Sequence, residues 1–116
     1  MTTPPVPEPD DVALAREHVL AAAHALLAGE LDALRAAEQI ARWRSDLDPE
    51  QVDEELLHFA GIESETDRLL IQDSLRGWHP DVAEQKRREY EEAERFYRTE
   101  AEASARILIV RYGRPA

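Results

Sequence analysis

Cysteine is absent from the 116-residue chain, which excludes disulfides, thiolate zinc sites, iron-sulfur clusters and cysteine nucleophiles together. Glycine is scarce at four residues, and no G-x-x-x-x-G-K-[ST] or G-x-G-x-x-G run occurs, so a backbone cradle for phosphates is missing. Basic residues number 14 against 25 acidic ones; the formal charge of -11 repels a nucleic-acid backbone and attracts cationic partners. No stretch approaches the ~20 apolar residues of a membrane span. The N-terminus lacks the basic and apolar regions of a signal peptide. Neither nucleic acid nor membrane is therefore expected as a partner, and the expected location is cytoplasmic.

What the chain does contain is helix-forming. Ala, Glu, Leu, Arg and a single Lys supply 61 of the residues, a bias that belongs to long helices. The expected fold is all-α, a single-domain bundle of four to five helices over residues 10–116. Residues 1–9, MTTPPVPEP, hold four of the seven prolines and read as a flexible tail. Asp10 and Asp11 precede an apolar pattern at Val12, Ala15, Val19, Ala22, Ala23, Leu26 and Leu27, which predicts a first helix ending at Gly29. Leu31, Leu34, Ala37, Ile40 and Ala41 predict a second from Glu30 to Arg44, bent at or separated from the first by that glycine.

Asp48-Pro49-Glu50-Gln51 combines a capping acid, proline at the first helical position and Gln three after the cap. A third helix is predicted to begin at Pro49, bury Val52, Leu56, Phe59 and Ala60, and end at Gly61. From Ile62 to Trp78 the pattern blurs into one or two short helices. Pro80 or Asp81 to Tyr112 then forms one long C-terminal helix, stopped by Gly113 and Pro115, with Glu84–Arg88, Glu91–Arg95, Glu94–Arg98 and Glu102–Arg106 spaced to pair along its outer face. Ile107, Leu108, Ile109 and Val110 point all around the axis, so those turns are either enclosed or used in association, with a short strand as the alternative.

Chemical motifs are thin. Glu55 and His58 form a Glu-x-x-His step of the kind that places two metal ligands side by side, but a di-iron bundle needs two such steps and there is no second. These two residues are the weak metal candidates, and no cofactor is expected. His18 and His24 lie off a common face. Serines lack a glycine-rich elbow, and Arg76 with His79 is too closely spaced for the usual Arg/His ribonuclease pair. Arg42-Trp43-Arg44 reads either as a small stacking patch or as basic residues at a helix C-terminus. Trp78 either plugs the core or anchors a partner.

Charge distribution carries the functional expectation. From Asp46 to Asp73 ten acids face Arg68 alone, a local net of -9, whereas from Asp81 onward the balance is eight against eight. Such a concentration either steers a basic protein partner or serves solubility and helix N-termini. Asp46, Asp48, Glu50, Asp53, Glu54, Glu63, Glu65, Asp67 and Trp78 are the predicted partner-binding residues, with no catalytic residue.

The run Ile62-Glu63-Ser64-Glu65-Thr66-Asp67-Arg68-Leu69, then Trp78, then Lys86-Arg87-Arg88-Glu89-Tyr90-Glu91 resembles a pattern in small uncharacterised bacterial helical proteins, over about residues 30 to 112. That resemblance implies an all-helical fold and brings no activity or catalytic residue. In general character the chain is also similar to acidic immunity proteins, which neutralise bacterial toxins by covering a basic active-site cleft. The leading expectation is a non-enzymatic binding protein of that immunity or antitoxin kind. Alternatives are a helical homodimer with a structural role that uses Ile107, Ile109 and Val110, and an enzyme built on Glu55, His58 or His79.

Overall fold

Four helices make up nearly all of the computed structural model, which describes residues 10–70 and 79–113. They are α1 (Asp10–Leu27), α2 (Ala33–Leu47), α3 (Glu54–Thr66) and α4 (Pro80–Tyr112), with a 3-10 turn at Asp67–Leu70 extending α3. No strand occurs among the described residues, so Ile107–Val110 are helical. The proline-rich stretch 1–9, Asp73, Leu75 and Trp78 lie outside them.

Local chemistry explains most boundaries. Gly29 takes a left-handed φ of 77°, and the amides of Glu30 and Leu31 fold back onto the Ala25 carbonyl, which ends α1 and reverses the chain. The second helix starts three residues later than expected because Asp32 caps it: the Arg35 amide donates to Asp32 Oδ1 at 2.8 Å. At α4, Pro80 occupies the first turn and the Asp81 amide donates to His79 Nδ1 at 3.2 Å. His79 therefore serves as a helix cap.

The connection between α2 and α3 corrects the sequence reading. Asp48 ends α2, its amide donating to the Arg44 carbonyl at 2.7 Å, and Pro49 and Glu50 form a turn. Gln51 then adopts a left-handed φ of 56°, and α3 begins only at Glu54 with Asp53 as its cap. Both Asp48 and Asp53 satisfy a capping pattern; Asp53 wins because α4 holds it, a tertiary contact outside the reach of local spacing. Val52, expected in the core, is consequently 70% exposed. Gly61 does not end α3, which runs on to Thr66, whose hydroxyl donates to the Ile62 carbonyl at 2.7 Å.

Packing follows from alternating directions. The short turn at 28–32 makes α1 and α2 antiparallel, with His18 stacked on Trp43 at a centroid distance of 4.2 Å. Along α3 and α4 rising numbers pair with falling ones: Glu55 with Arg111, His58 with Ser104, Arg68 with Glu89. The result is an up-down-up-down bundle, 64 × 28 × 21 Å, whose long dimension reflects the 33-residue α4, about 50 Å at 1.5 Å per residue. Val19, Leu26, Leu34, Ile40, Leu56, Phe59, Ile62 and Leu108 fill one shared core. Seven alanines complete it, at 22, 23, 33, 36, 37, 101 and 105, and such small side chains let helix axes approach closely.

Gly61 is exposed in the interior of α3, and a Cβ placed there meets nothing within 4 Å. Replacing it by Ala removes backbone freedom from the unfolded chain without a clash. Gly61→Ala is therefore expected to stabilise the protein by about 0.5–1 kcal/mol, measured by urea denaturation. An unchanged or lower midpoint would show that α3 does not run through this position.

Candidate functional site: an acidic corner at the α2–α3 connection

The residues predicted from charge do not form one continuous surface. They separate into two groups at the ends of α3, about 20 Å apart by helix rise. At the first end lie Asp46, Asp48, Glu50, Asp53 and Glu54; at the other lie Glu63, Glu65 and Asp67.

The first group is built around Asp53, and this residue is the one that the structure takes out of solvent. It is 7% exposed. Its Oδ1 accepts from the amides of Glu55 at 3.0 Å and Leu56 at 3.1 Å, and from Arg111 at 2.7 Å. Its Oδ2 accepts from the Tyr112 hydroxyl at 2.5 Å. Burial alone would raise the pKa of this carboxyl, but Tyr112, Arg111 and the Leu56 amide outweigh it and hold the group below the ordinary value of 3.8. The same contact, after burial itself, pushes the Tyr112 hydroxyl upward. Asp53 is thus spent on holding the fold, and so is unsuited to meet a partner. Glu55 is spent similarly, on Arg111 at 2.7 Å.

Around this buried knot the other acids remain open. Asp46, Glu50 and Glu54 are exposed, and none is ion-paired with a described residue. Asp48 is half-buried and accepts the Asp53 amide at 2.8 Å. Gln51 is tied back by Arg44 at 3.1 Å, which fixes the left-handed bend that turns Val52 outward. Asp48, Val52, Asp53, Glu54, Glu55, Arg111 and Tyr112 together line an open cleft of about 390 Å³. Chemically this is an aliphatic side chain ringed by carboxylates, with one guanidinium at the back.

At the far end of α3, Glu65 receives the Tyr97 hydroxyl, Glu63 is half-buried, and Asp67 is exposed in the 3-10 turn. Arg68 beside them pairs with Glu89 at 3.3 Å. Glu65 is thus engaged by α4, whereas Glu63 and Asp67 make no ion pair with a described residue.

The metal candidates are turned apart. Glu55 reaches Arg111, whereas His58 places Nδ1 2.8 Å from Ser104 Oγ and Nε2 3.5 Å from Glu100. Among the described residues no group of three His, Asp or Glu side chains is arranged for a metal ion. The Ser104–His58–Glu100 chain has the residue types of a nucleophilic triad. Ser104, however, sits inside α4, where the neighbouring amides are committed to helix hydrogen bonds and leave no donors for an oxyanion. Arg111 and Tyr112 are the site residues that sequence reasoning missed; a basic residue and a tyrosine in a last helical turn carry no signal that they reach a cap 58 or 59 residues earlier.

Because the Asp53 carboxyl is held below 3.8, its contribution to stability is complete above that pH and is lost as pH falls through the depressed value. The stability difference between the wild type and Asp53→Asn should therefore be constant near neutrality and shrink on acidification below about pH 4. Tyr112→Phe should cost about 1 kcal/mol at neutral pH. Denaturation midpoints across a pH series check both, and a pH-independent difference would place the stabilising charge elsewhere. Compared with known protein families, curated proteins and solved structures, the chain matches none.

Proposed function

We propose that this protein is a non-enzymatic binding module that docks a basic surface of a partner protein on its acidic corner. One observation carries the reading. Val52 stands 70% exposed just after the left-handed Gln51, in a cleft that Asp48 and Glu54 line, and the exposed Asp46, Glu50 and Glu54 make no ion pair with a described residue. An apolar anchor inside a charged rim is how protein interfaces combine affinity with steering: the side chain fills a pocket, and the carboxylates speed encounter with a cation-rich face. A backbone strain of order 1–3 kcal/mol at a left-handed residue persists where its neighbours over-determine it, and here the Arg44 contact and the Asp48–Asp53 hydrogen bond do so. Within this reading, the specific role is that of an immunity protein or antitoxin, which covers the basic cleft of a toxin.

Paired capture tests it. Wild-type protein and the variant Asp46→Lys/Glu50→Lys/Glu54→Lys, both immobilised, are exposed to the same native lysate at low and at high salt. The expected result is a basic protein retained by the wild type at low salt, released by salt, and absent from the variant. Val52→Asp should weaken its retention while leaving the salt dependence in place. Retention that ignores both the charge reversal and the salt would refute the proposal.

A further inference from the structure

The start of α3 is contested by two caps, and the losing one is nearly formed. Pro49 and Glu50 already make a turn, closed by the Gln51 amide donating to the Asp48 carbonyl at 3.0 Å. Continuation into α3 is interrupted at Gln51, with its left-handed φ of 56°, and at Asp53, with an extended ψ of 111°. Gln51 is the one non-glycine residue with a positive φ among those described, a conformation that persists only under outside constraint. Part of that constraint comes from the last turn of α4, where Arg111 and Tyr112 hold the Asp53 carboxylate in place as the cap.

We propose that this connection is a conformational switch with two registers, and that the last turn of α4 selects between them. In the clamped register Asp53 caps α3 and Val52 stands outside. In the extended register Asp48 caps a helix that runs from Pro49, and Gln51, now at the third helical position, leaves the left-handed region. Val52 lies four residues before Leu56 and seven before Phe59, so a continuous helix carries it onto the stripe that these two buried side chains occupy. Ser45 and Asp46 are exposed in the last turn of α2, which unwinds to supply the connection. Relief of Gln51, added helical hydrogen bonds and burial of Val52 favour the extended register. Against them stand the contacts of Arg111 and Tyr112 on Asp53, so the clamp decides. Resting on the docking reading above, the switch regulates that same site: only the clamped register presents Val52 beside the open carboxylates. Molecules in the extended register are withdrawn from binding, and a bound partner in turn stabilises the clamp. Arg111 is itself exposed and lines the same cleft as Val52, so a partner seated there covers the switch it depends on.

Because the chain has no cysteine, a single thiol introduced by Val52→Cys reports the register through its rate of reaction with a soluble maleimide. In the otherwise native chain it should label as fast as an exposed reference, Gln39→Cys on α2. Adding Arg111→Ala and Tyr112→Phe should slow position 52 on the order of tenfold, as for a side chain exposed in about a tenth of the molecules, and leave position 39 unchanged. Backbone chemical shifts of residues 49–53 should turn helical in the same variant. Gln51→Gly, which suits the left-handed turn and disfavours a helix, should then restore fast labelling. With the clamp intact, Gln51→Ala should slow labelling severalfold and Gln51→Gly should not, a comparison that holds even where the clamp variant unfolds. Fast labelling in a clamp variant of native circular dichroism would overturn the switch. So would helical shifts lost at residues 54–57 instead of gained at 49–53, or equal rates for Gln51→Ala and Gln51→Gly. The readout needs no partner: a basic protein captured by a corner that does not switch sinks this inference alone, and a corner that switches yet retains no basic protein sinks the docking reading alone.

Discussion

Two aspartates are handled in the same way, and the architecture depends on them. Asp32 and Asp53 are the N-caps of α2 and α3. Each gives one carboxylate oxygen to the first amides of its helix and the other to a tyrosine hydroxyl of α4, Tyr90 at 2.7 Å and Tyr112 at 2.5 Å. The two tyrosines are about six turns apart on one side of α4, so a single straight helix spans both caps. Each contact has a reinforcing neighbour: Glu94, itself held by Arg98 at 2.9 Å, accepts the Ala33 amide, and Arg111 bridges Asp53 and Glu55. Helix starts leave amides unsatisfied, and here α4 supplies or supports their acceptors from a distance.

This arrangement decides which acids are free. Counted along the chain, the segment from Asp46 to Asp73 carries ten acids against one base. In three dimensions α4 engages Asp53, Glu55 and Glu65, and what stays open is the corner before α3 together with Asp67 in the 3-10 turn. The open anionic surface is thus narrower than the sequence tally implies, and at the corner it borders the exposed Val52. Charge reads as function only after the structural uses of charge are subtracted.

Where local chemistry decides a boundary, it was legible. Gly29 ends α1 because it alone can take the left-handed turn without strain, and Pro80 to Tyr112 is helical because nothing in that run disfavours it. The buried faces of α1 and α2 follow the apolar spacing through Ala15, Val19, Ala22, Leu26, Leu34 and Ile40. Illegible were the contests between equally good local signals. Asp48 and Asp53 both look like caps, and Val52 looks like core if the helix starts at Pro49; the winner is set by Arg111 and Tyr112, whose distance in sequence hides them. The same holds for Glu55 and His58, adjacent in spacing yet drawn to different partners on α4.

The two clamps also bear on how the chain reaches this shape. They join residues 58 and 59 apart, so both loops that α4 must close have almost the same length, and neither contact can form until the intervening chain has been gathered in. The α1–α2 hairpin, joined by a five-residue turn, has no such wait. Assembly should accordingly begin there, with α3 fraying at its first turn until α4 arrives and seats both tyrosines in one step, a slower course than the all-local contacts of most small helical bundles would give.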